Sequence, residues 1–442
     1  IDNLYKNKRF TELEFEIESI SNFKDRSAFL ANLLGVTKLK QPPITTKNFE
    51  EARILFKDSY EKDPNYIDAM CNLGHVSLKL RNYEYIFKDL KRFVKNKGYN
   101  AKIYYTLARI FFFVGQIDEA LDLFKKMADR GDLARDAAAN FLCSLNYSSK
   151  FSQIEYLDYC KKINDKFKPD NLQDLIDFEF DKNPKNLNIG FISPDFIEHS
   201  VTEFLFGTIK ELKKRNFKIH AFNLRDVNQL DKTSEVLMET FDSWNDLAET
   251  NDLDSANIIR KKKINILINI VGYFANNRFT IMKLKPAPMQ MLWMGYTNTM
   301  GVEEIDYIVA DPNLIKENEE KLYSEKVINL PKIWNCHSGI ESKIEVEDLP
   351  CLKNEHITFG CFNNSSKISE EVIETWSQIL LKVNNSKLMI KAPSDDAEIA
   401  QKNILKKFQN FDIEGSRIQF SPREKKKEDH YKMYNKIDIS LD

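Results

Sequence analysis

The chain has 442 residues, 42% of them hydrophobic and 30% charged, and its net charge of -2 gives no overall reason to expect nucleic-acid binding. No apolar stretch approaches the roughly 18 residues that cross a bilayer, and residues 1–10 lack the apolar core of a signal peptide. The six cysteines are scattered without a C-x-x-C pair, so neither a disulfide framework nor a zinc site is indicated. We expect a cytoplasmic globular protein of roughly three domains, with no membrane partner.

Residues 1–150 are predicted to form helical repeats, because three series of apolar or small residues recur every 34 positions. Pro64 lies eight residues after Phe56, where the tetratricopeptide pattern places its closing proline. Such arrays stack into superhelices whose concave face holds extended peptides, so a protein or peptide partner is expected. The recurring positions are Leu73-Gly74 and Leu107-Ala108; Ala52, Ile86 and Ala120; and Phe56, Leu90 and Phe124.

After a helical linker at 151–185, which ends in the polar stretch DKNPK, short apolar runs alternate with helical segments. This alternation predicts βαβ units and parallel sheets in two lobes, 186–340 and 357–442, with a charged connector at 341–356 between them. An α-solenoid followed by two Rossmann-like lobes is the plan of a GT-B glycosyltransferase with helical repeats, and the absence of G-x-G-x-x-G disfavours a dehydrogenase. The apolar runs are LNIGFIS, FKIHAFNL, INILINI and DYIVAD in the first lobe and ITFGCFN, SKLMIKA, RIQFS and IDISL in the second.

His199 follows the first predicted strand of the first lobe. Ser200 and Glu203 have the S-x-x-E spacing of a capping box, so His199 is expected just before a helix N-terminus. In open α/β sheets, ligands bind at the carboxyl ends of the strands. An imidazole at that edge could accept a proton, donate to a phosphate, or hydrogen-bond its own loop, and the spacing leaves these alternatives open.

Lys367 occupies the matching place in the second lobe. It follows ITFGCFN and precedes Ser369, which is predicted to cap a helix with an acidic first turn. Cationic and N–H groups at a strand end suit a sugar nucleotide, because cleavage of its anomeric bond leaves a diphosphate that needs stabilisation. The alternative for Lys367 is an ordinary solvated surface charge.

Several strings along the chain resemble the catalytic region of the protein O-GlcNAc transferases, glycosyltransferase family 41. They are the segment from GYFANNRF to DYIVAD at 272–311, YSEKVINLP at 323–331 and FGCFNNSSKI at 359–368. SPDFIEHSV, at 193–201, is most similar to the SPINDLY branch of this family, which includes protein O-fucosyltransferases. That family also joins tetratricopeptide repeats to a GT-B unit, so the resemblance covers nearly the whole chain.

The resemblance assigns roles to residues that match the family's motifs. His199 matches the active-site histidine, and Lys367 matches the lysine that contacts the donor diphosphate. Pro286, Pro288 and Trp293 are interpreted as scaffolding. The remaining matches are Asn364, Lys427 and His430 on the donor side, and Tyr296, Thr299 and Gly301 on the acceptor and sugar side.

The implied reaction is an inverting transfer of one sugar, GlcNAc or fucose, from UDP-GlcNAc or GDP-fucose to a Ser or Thr hydroxyl of a protein. No metal or other cofactor is implied, and the D-x-D string at Asp252 and Asp254 is interpreted as two exposed acids on a helix. Two alternatives remain: a non-catalytic repeat adaptor with a degenerate transferase domain, and an N-glycosyltransferase acting on Asn.

The sequence departs from the family pattern at its end. The family continues the strand resembling IDISLD with a threonine-rich loop and helix that cradle the diphosphate, whereas this sequence stops at Asp442. It also begins with Ile1 rather than Met. We therefore expect a fragment with an incomplete second lobe, whose activity on its own is doubtful.

Overall fold

The computed structural model describes residues 1–20, 25–42, 44–132, 134–169, 172–177, 185–274, 277–339, 344–392, 398–422, 424 and 426–441. The chain forms two compact units, one made of residues 1–133 with 341–442 and the other of residues 134–340. The predicted polar stretch at 181–185, apart from Lys185, and the first three residues of the connector at 341–356 lie outside the described residues. No helix in the described ranges is long and apolar enough to cross a membrane.

The first unit begins with helices paired into antiparallel hairpins. The 34-residue period appears directly in α5 and α7, whose first residues lie 34 positions apart. The helices are α1 (Asp2–Lys6), α2 (Phe10–Ile20), α3 (Ala28–Lys38), α4 (Thr46–Lys62), α5 (Ile67–Lys79), α6 (Glu84–Asn96), α7 (Ala101–Phe113) and α8 (Ile117–Asp129).

The residues of the three 34-residue series form the interior of these hairpins, as predicted. Ala52, Ile86 and Ala120 are all fully buried, because equivalent helices meet at equivalent positions. Gly74 shows why a small residue is needed, since a Cβ there would lie 2.5 Å from the Thr106 methyl carbon on the neighbouring helix. Burial of every series at one period confirms the prediction of a helical-repeat region.

The second unit contains two further helices and a parallel sheet covered by helices. Its central strand β1 is buried along nearly its whole length, which explains the continuous apolar run LNIGFIS. The elements are α9 (Arg135–Leu145), α10 (Gln153–Lys166), β1 (Asn188–Ser193), α11 (Ser200–Lys214), β2 (Lys218–Asn223), α12 (Lys232–Thr240), β3 (Ser243–Asp246), α13 (Asp252–Lys261), β4 (Ile266–Asn269), α14 (Phe279–Lys283), β5 (Met289–Leu292), β6 (Tyr307–Ala310) and β7 (Lys326–Asn329).

The C-terminal lobe, part of the first unit, holds a smaller parallel sheet. Its core joins both faces of the sheet to flanking helices through residues such as Phe359, Trp376, Leu388 and Phe408. The elements are α15 (Cys351–Asn354), β8 (Ile357–Cys361), α16 (Glu370–Lys382), β9 (Ser386–Lys391), α17 (Glu398–Gln409), β10 (Ile418–Ser421), α18 (Lys427–Lys432) and β11 (Ile439–Ser440).

Both sheets are parallel throughout, so within each sheet the carboxyl ends of the strands lie at the same edge. The strand orders are β3-β2-β1-β4-β5-β6-β7 and β10-β9-β8-β11. In each sheet the chain leaves a central strand and later returns to that strand's other side, which creates a switch point where loops diverge. The helical region followed by parallel α/β sheets confirms the predicted fold class.

Candidate functional site

The loop after β1 is fixed by contacts from neighbouring elements. Phe196 is fully buried, and the side chain of Arg225, which follows β2, donates to the Pro194 carbonyl over 2.6 Å and pairs with Asp195 at 3.3 Å. The Arg225 and Asp195 side chains are only 15% and 13% exposed, so this pair is shielded from solvent. The backbone leading to His199 is therefore held on the sheet edge before helix α11 begins.

His199 itself is the N-cap of α11, and this corrects the prediction that Ser200 caps the helix. Its backbone is extended, with φ −146°, and Nδ1 of its ring accepts a hydrogen bond from the Val201 N–H over 3.3 Å. Ser200 is the first helical residue. The S-x-x-E spacing misled because the imidazole nitrogen can take the place of a cap oxygen in accepting an N–H of the first turn.

This capping bond distinguishes the two ring nitrogens of His199. Because Nδ1 accepts the Val201 N–H, the neutral ring carries its proton on Nε2. The side chain is exposed, so Nε2–H remains available as a donor at the carboxyl edge of the sheet. In this conformation the ring is set to donate from Nε2 rather than to accept a proton there.

The loops after β4 and β5 approach each other closely near the start of α11. A Cβ at Gly295 would lie 2.0 Å from the Ile270 carbonyl oxygen and 3.2 Å from a methyl carbon of Val201. Gly272 has φ +57°, and a Cβ there would lie 2.1 Å from the Tyr296 ring. Glycine at both positions thus brings the loop carrying Tyr296 against the helix turn that His199 caps.

Tyr296 points into the protein interior and is 4% exposed. Its hydroxyl lies 2.5 Å from the Tyr156 hydroxyl and accepts from the Asn146 amide over 3.0 Å. Burial, above all, raises the pKa of Tyr296 well above its usual range, which keeps the phenol neutral. The side chain therefore ties helix α10 to the loop after β5.

Thr299 and Gly301 belong to the same buried network. Thr299 donates to the Glu325 carboxylate over 2.5 Å, and the other oxygen of that carboxylate accepts the Met300 N–H over 2.9 Å. Glu325 is 2% exposed, and burial raises its pKa although these hydrogen bonds oppose the shift. A Cβ at Gly301 would lie 2.7 Å from the Cys160 Cβ, so the loop rests directly on α10.

Asn164 completes the anchorage of this loop from helix α10. Its amide donates to the Tyr273 hydroxyl and to the carbonyls of Met300 and Gly301 over 3.0, 2.9 and 3.1 Å. Asn164 is 3% exposed, so one buried side chain holds three acceptors. The conformation of residues 296–301 is therefore determined by helix α10 and Glu325.

In the C-terminal lobe, Lys367 ends a single 3₁₀ turn at Ser365–Lys367 directly beyond β8. The two serines of the turn are buried, at 5% and 1% exposure, whereas Lys367 and Asn364 are exposed. The Lys367 N–H donates to the Asn364 carbonyl over 2.9 Å, which closes the turn. Ser369 caps α16 by accepting the Val372 N–H, as predicted.

His430 lies beside the same turn. Its ring packs edge-on against Phe362, two residues before Asn364, with the ring centroids 6.2 Å apart. Burial and the neighbouring Lys391, at the end of β9, lower the pKa of His430 and favour its neutral form. Lys427 is exposed at the first turn of the same helix, α18, with its ammonium 5.9 Å from the Tyr431 ring.

Asp252 of the D-x-D string has a structural role. Its carboxylate accepts from Arg278 over 2.7 Å, from Arg135 over 3.2 Å and from the Thr280 hydroxyl, which joins α13 to α9 and α14. Two guanidinium groups occupy the carboxylate that a cation would need. Within the described ranges, no group of three or more His, Cys, Asp or Glu residues could hold a metal ion.

The predicted residues thus form two local groups, one in each unit. In the second unit, Val201 beside His199 packs against Gly295 at the start of the loop that carries Tyr296, whereas in the first unit His430 packs against Phe362, two residues before Asn364. Sequence reasoning missed Arg225, Asn164 and Glu325, although Glu325 stands inside the string YSEKVINLP. Their signal was weak because a polar residue's burial depends on partners distant in the sequence.

Comparisons with known proteins agree with this fold. Residues 171–339 match the family model of glycosyl transferase family 41. The probable UDP-N-acetylglucosamine–peptide N-acetylglucosaminyltransferase SPINDLY of Hordeum vulgare is 29% identical over 316 residues, covering 70% of this chain and 33% of the relative. Its counterpart in Oryza sativa subsp. japonica is 31% identical over 259 residues, covering 58% of this chain and 28% of the relative. The chain thus spans about a third of the length of these curated relatives.

Among solved structures, an O-GlcNAc transferase mutant of Thermobaculum terrenum superimposes with a TM-score of 0.79. The alignment covers 90% of this chain and 75% of that one at 20% identity. This likeness shows a shared fold across the helical repeats and the parallel sheets.

Proposed function

Because residues 171–339 match the family model of glycosyl transferase family 41, we propose that the chain belongs to this family and that the protein transfers a single sugar, GlcNAc or fucose, from a nucleotide sugar to Ser or Thr hydroxyls of proteins, with inversion at the anomeric carbon. The observation that carries the proposal is the turn beyond β8. It buries both serines while it presents Lys367 at the carboxyl edge of a parallel sheet, and His430 packs against Phe362 on the strand side of this turn. The names of the barley and rice relatives supply the class of donor and acceptor.

Lys367 stabilises the leaving group in this proposal. As the acceptor oxygen attacks the anomeric carbon, the bond to the nucleotide diphosphate breaks and negative charge accumulates on that diphosphate. An ammonium already positioned at a strand end interacts more strongly with this charge in the transition state than in the ground state. The exposed Asn364 and Lys427 and the half-buried His430 would hold the nucleotide on the same edge of the sheet.

His199 acts as a donor and positioning group. Its Nδ1 is committed to the Val201 N–H, so only Nε2–H is directed to a ligand. This arrangement favours the donor alternative over the general-base alternative, since Nε2 could accept a proton only after the proton of the neutral ring moved to Nδ1 and broke the cap.

Tyr296, Thr299 and Gly301 shape the acceptor side through the backbone. The side chains of Tyr296 and Thr299 are 4% and 0% exposed, so they fix the loop rather than reach a sugar. Loop carbonyl and N–H groups held by this network would then border the acceptor and the sugar with little freedom to move.

The helical repeats bind the protein acceptor. Their paired helices provide a long surface on which an extended peptide can contribute binding energy remote from the reacting bond.

The reaction needs no metal ion, since cationic side chains stabilise the leaving group and Asp252 is occupied by Arg135 and Arg278. We further propose a cytoplasmic location, which agrees with the scattered cysteines.

The test is transfer itself. The full-length protein is incubated with labelled UDP-GlcNAc or GDP-fucose and candidate acceptor proteins, and modified peptides are mapped by mass spectrometry. Label on Ser or Thr from one donor is expected. Label found only on Asn would identify an N-glycosyltransferase, and no transfer from either donor would favour the non-catalytic adaptor.

A further inference from the structure

The helical hairpin of α7 and α8 contacts the turn that carries Lys367. The Ser365 hydroxyl donates to the carbonyl of Phe113, the last residue of α7, over 3.0 Å. The two residues are separated by 252 positions in the sequence but belong to the same compact unit. A helix C-terminus leaves its last carbonyls without partners, and here the lobe supplies one.

Gly115 allows this contact to form. It has φ +78°, and a Cβ at this position would lie 3.0 Å from the Ser365 carbonyl oxygen. The glycines that follow α6 and α8, Gly98 and Gly131, also have positive φ, but a Cβ at either would meet no atom within 4 Å. Of these three glycines, only Gly115 packs closely against the lobe.

The contact continues into the preceding hairpin. The guanidinium of Arg81, in the turn after α5, lies 4.4 Å from the centre of the Phe113 ring. A cation over an aromatic face restrains both groups. Arg81, Phe113 and Ser365 thus form a continuous path from the hairpin of α5 and α6 to the turn of Lys367.

Charged residues support the same docking at a second place. On the lobe side, Lys402 of α17 pairs with Glu398 and also interacts electrostatically with Glu84 of α6. Glu398 in turn interacts with Lys88 of α6. Because Lys402 and Glu398 are exposed, these interactions add only a small contribution to the contact between Phe113 and Ser365.

We propose that the hairpin of α7 and α8 positions the Lys367 turn, so that the repeats set the geometry of the donor side as well as binding the acceptor. The role of Lys367 in transfer rests on the proposed function, whereas the packing of the repeats on the turn does not. A peptide that shifts the end of α7 would shift Lys367 too, and nucleotide binding would reciprocally affect the repeats.

Two neighbouring serines provide a matched pair of variants. Ser365→Ala removes the donor to Phe113, whereas Ser366→Ala removes a hydroxyl that is equally buried but has no partner among the described residues. Hydrogen exchange is followed at Lys367 and Ile368 in the lobe and at Gly115 and Gln116 in the repeats, all of which donate hydrogen bonds to backbone carbonyls.

In Ser365→Ala, exchange should accelerate about fivefold on both sides of the contact, the factor that loss of one ordinary hydrogen bond produces. Ser366→Ala should leave these amides unchanged. Acceleration confined to Lys367 and Ile368, no acceleration at all, or an equal effect of both variants would overturn the proposal.

A second pair of variants tests whether the change in exchange is only a local consequence of altering the serine. Gly115→Ala and Gly131→Ala introduce the same backbone strain, but only the first places a methyl group against Ser365. Exchange at Lys367 and Ile368 should rise in Gly115→Ala and stay at the wild-type rate in Gly131→Ala. Equal rates in the two variants would contradict positioning by the hairpin.

These measurements need no enzymatic turnover. If exchange is coupled across the contact but no sugar is transferred from either donor, the proposed function fails and the docking stands. If transfer occurs but Ser365→Ala and Gly115→Ala leave both exchange and kcat unchanged, the repeats do not position Lys367 and the proposed function stands.

Discussion

The loop after β5 and the turn after β8 occupy equivalent places at the carboxyl ends of parallel strands, yet they differ in how their side chains are used. Tyr296 and Thr299 are buried in a hydrogen-bond network with α10 and Glu325. Lys367 and Asn364 project into solvent from a turn whose serines are buried. The first loop is thus a fixed wall and the second presents charge, so changes in the first should mainly affect stability and changes in the second mainly affect turnover.

The largest expected effect comes from Lys367→Ala. Turnover of the active protein should fall by about two powers of ten, because a cation that stabilises a departing diphosphate acts mainly in the transition state. The melting temperature should not change, because the side chain is exposed. The matched control is Lys382→Ala, an exposed lysine at the end of α16 in the same lobe. Near-normal turnover at saturating donor in Lys367→Ala would disprove the leaving-group role.

Glu325→Ala should have the next largest effect, and this effect should be on stability rather than on turnover. It leaves the Thr299 hydroxyl and the Met300 N–H without their acceptor, at a cost of roughly 3 kcal/mol in the free energy of unfolding. Chemical denaturation measures this loss. An unchanged unfolding free energy would mean that the loop after β5 is not fixed by Glu325.

The pH dependence of Glu325 gives a sharper version of this test. Its pKa is raised in the folded protein, so its contribution is most favourable below the ordinary Glu pKa of about 4.3 and is lost as pH rises through the folded value. Glu325→Gln cannot titrate. The unfolding free energy of wild type minus that of Glu325→Gln should therefore fall as pH rises through this window, and a rise would contradict the assignment.

Tyr296→Phe should have a smaller effect. It removes one hydroxyl that bonds to Asn146 and Tyr156, which should lower the free energy of unfolding by about 1–2 kcal/mol. Turnover should change far less than in Lys367→Ala, since the ring keeps its place between the loops. A large loss of turnover with unchanged stability would instead mean that the hydroxyl acts on a substrate.

His199 contributes both to stability, by capping α11, and to turnover, by donating from Nε2. Two variants separate these roles. Asn keeps a capping acceptor, whereas Ala does not, so His199→Ala should be less stable than His199→Asn by about 1 kcal/mol. Both lose the Nε2 donor, so both should lose turnover to a similar extent. Full turnover in His199→Asn would mean that capping is the whole role of the residue.

The sequence predicted those parts of the fold in which local pattern and burial agree. Eight apolar runs correspond to β1, β2, β4, β6, β8, β9, β10 and β11, and the 34-residue series are buried in the repeats. The three strands without a predicted run have local reasons. β3 is the polar edge segment SWND, β5 follows a proline pair, and β7 is a four-residue edge strand with exposed ends.

The site was predictable in its positions but less so in the orientation of its side chains. A residue after a strand must lie at the carboxyl edge of the sheet, which placed His199 and Lys367 there. Whether such a residue points outward depends on distant partners, and Tyr296 points inward because Tyr156, 140 positions away, bonds to its hydroxyl. The contact between Phe113 and Ser365 was not predicted, because these residues too are distant in the sequence.

The central proposal is that a nucleotide diphosphate binds at the carboxyl edge of the sheet in the C-terminal lobe, beside Lys367. Hydrogen exchange of the chain with and without UDP or GDP tests it directly, with adenosine as a control that lacks the diphosphate. We predict protection at 362–368 and 426–431, lost in Lys367→Ala. Binding without protection at these segments, or protection that Lys367→Ala leaves unchanged, would contradict the account.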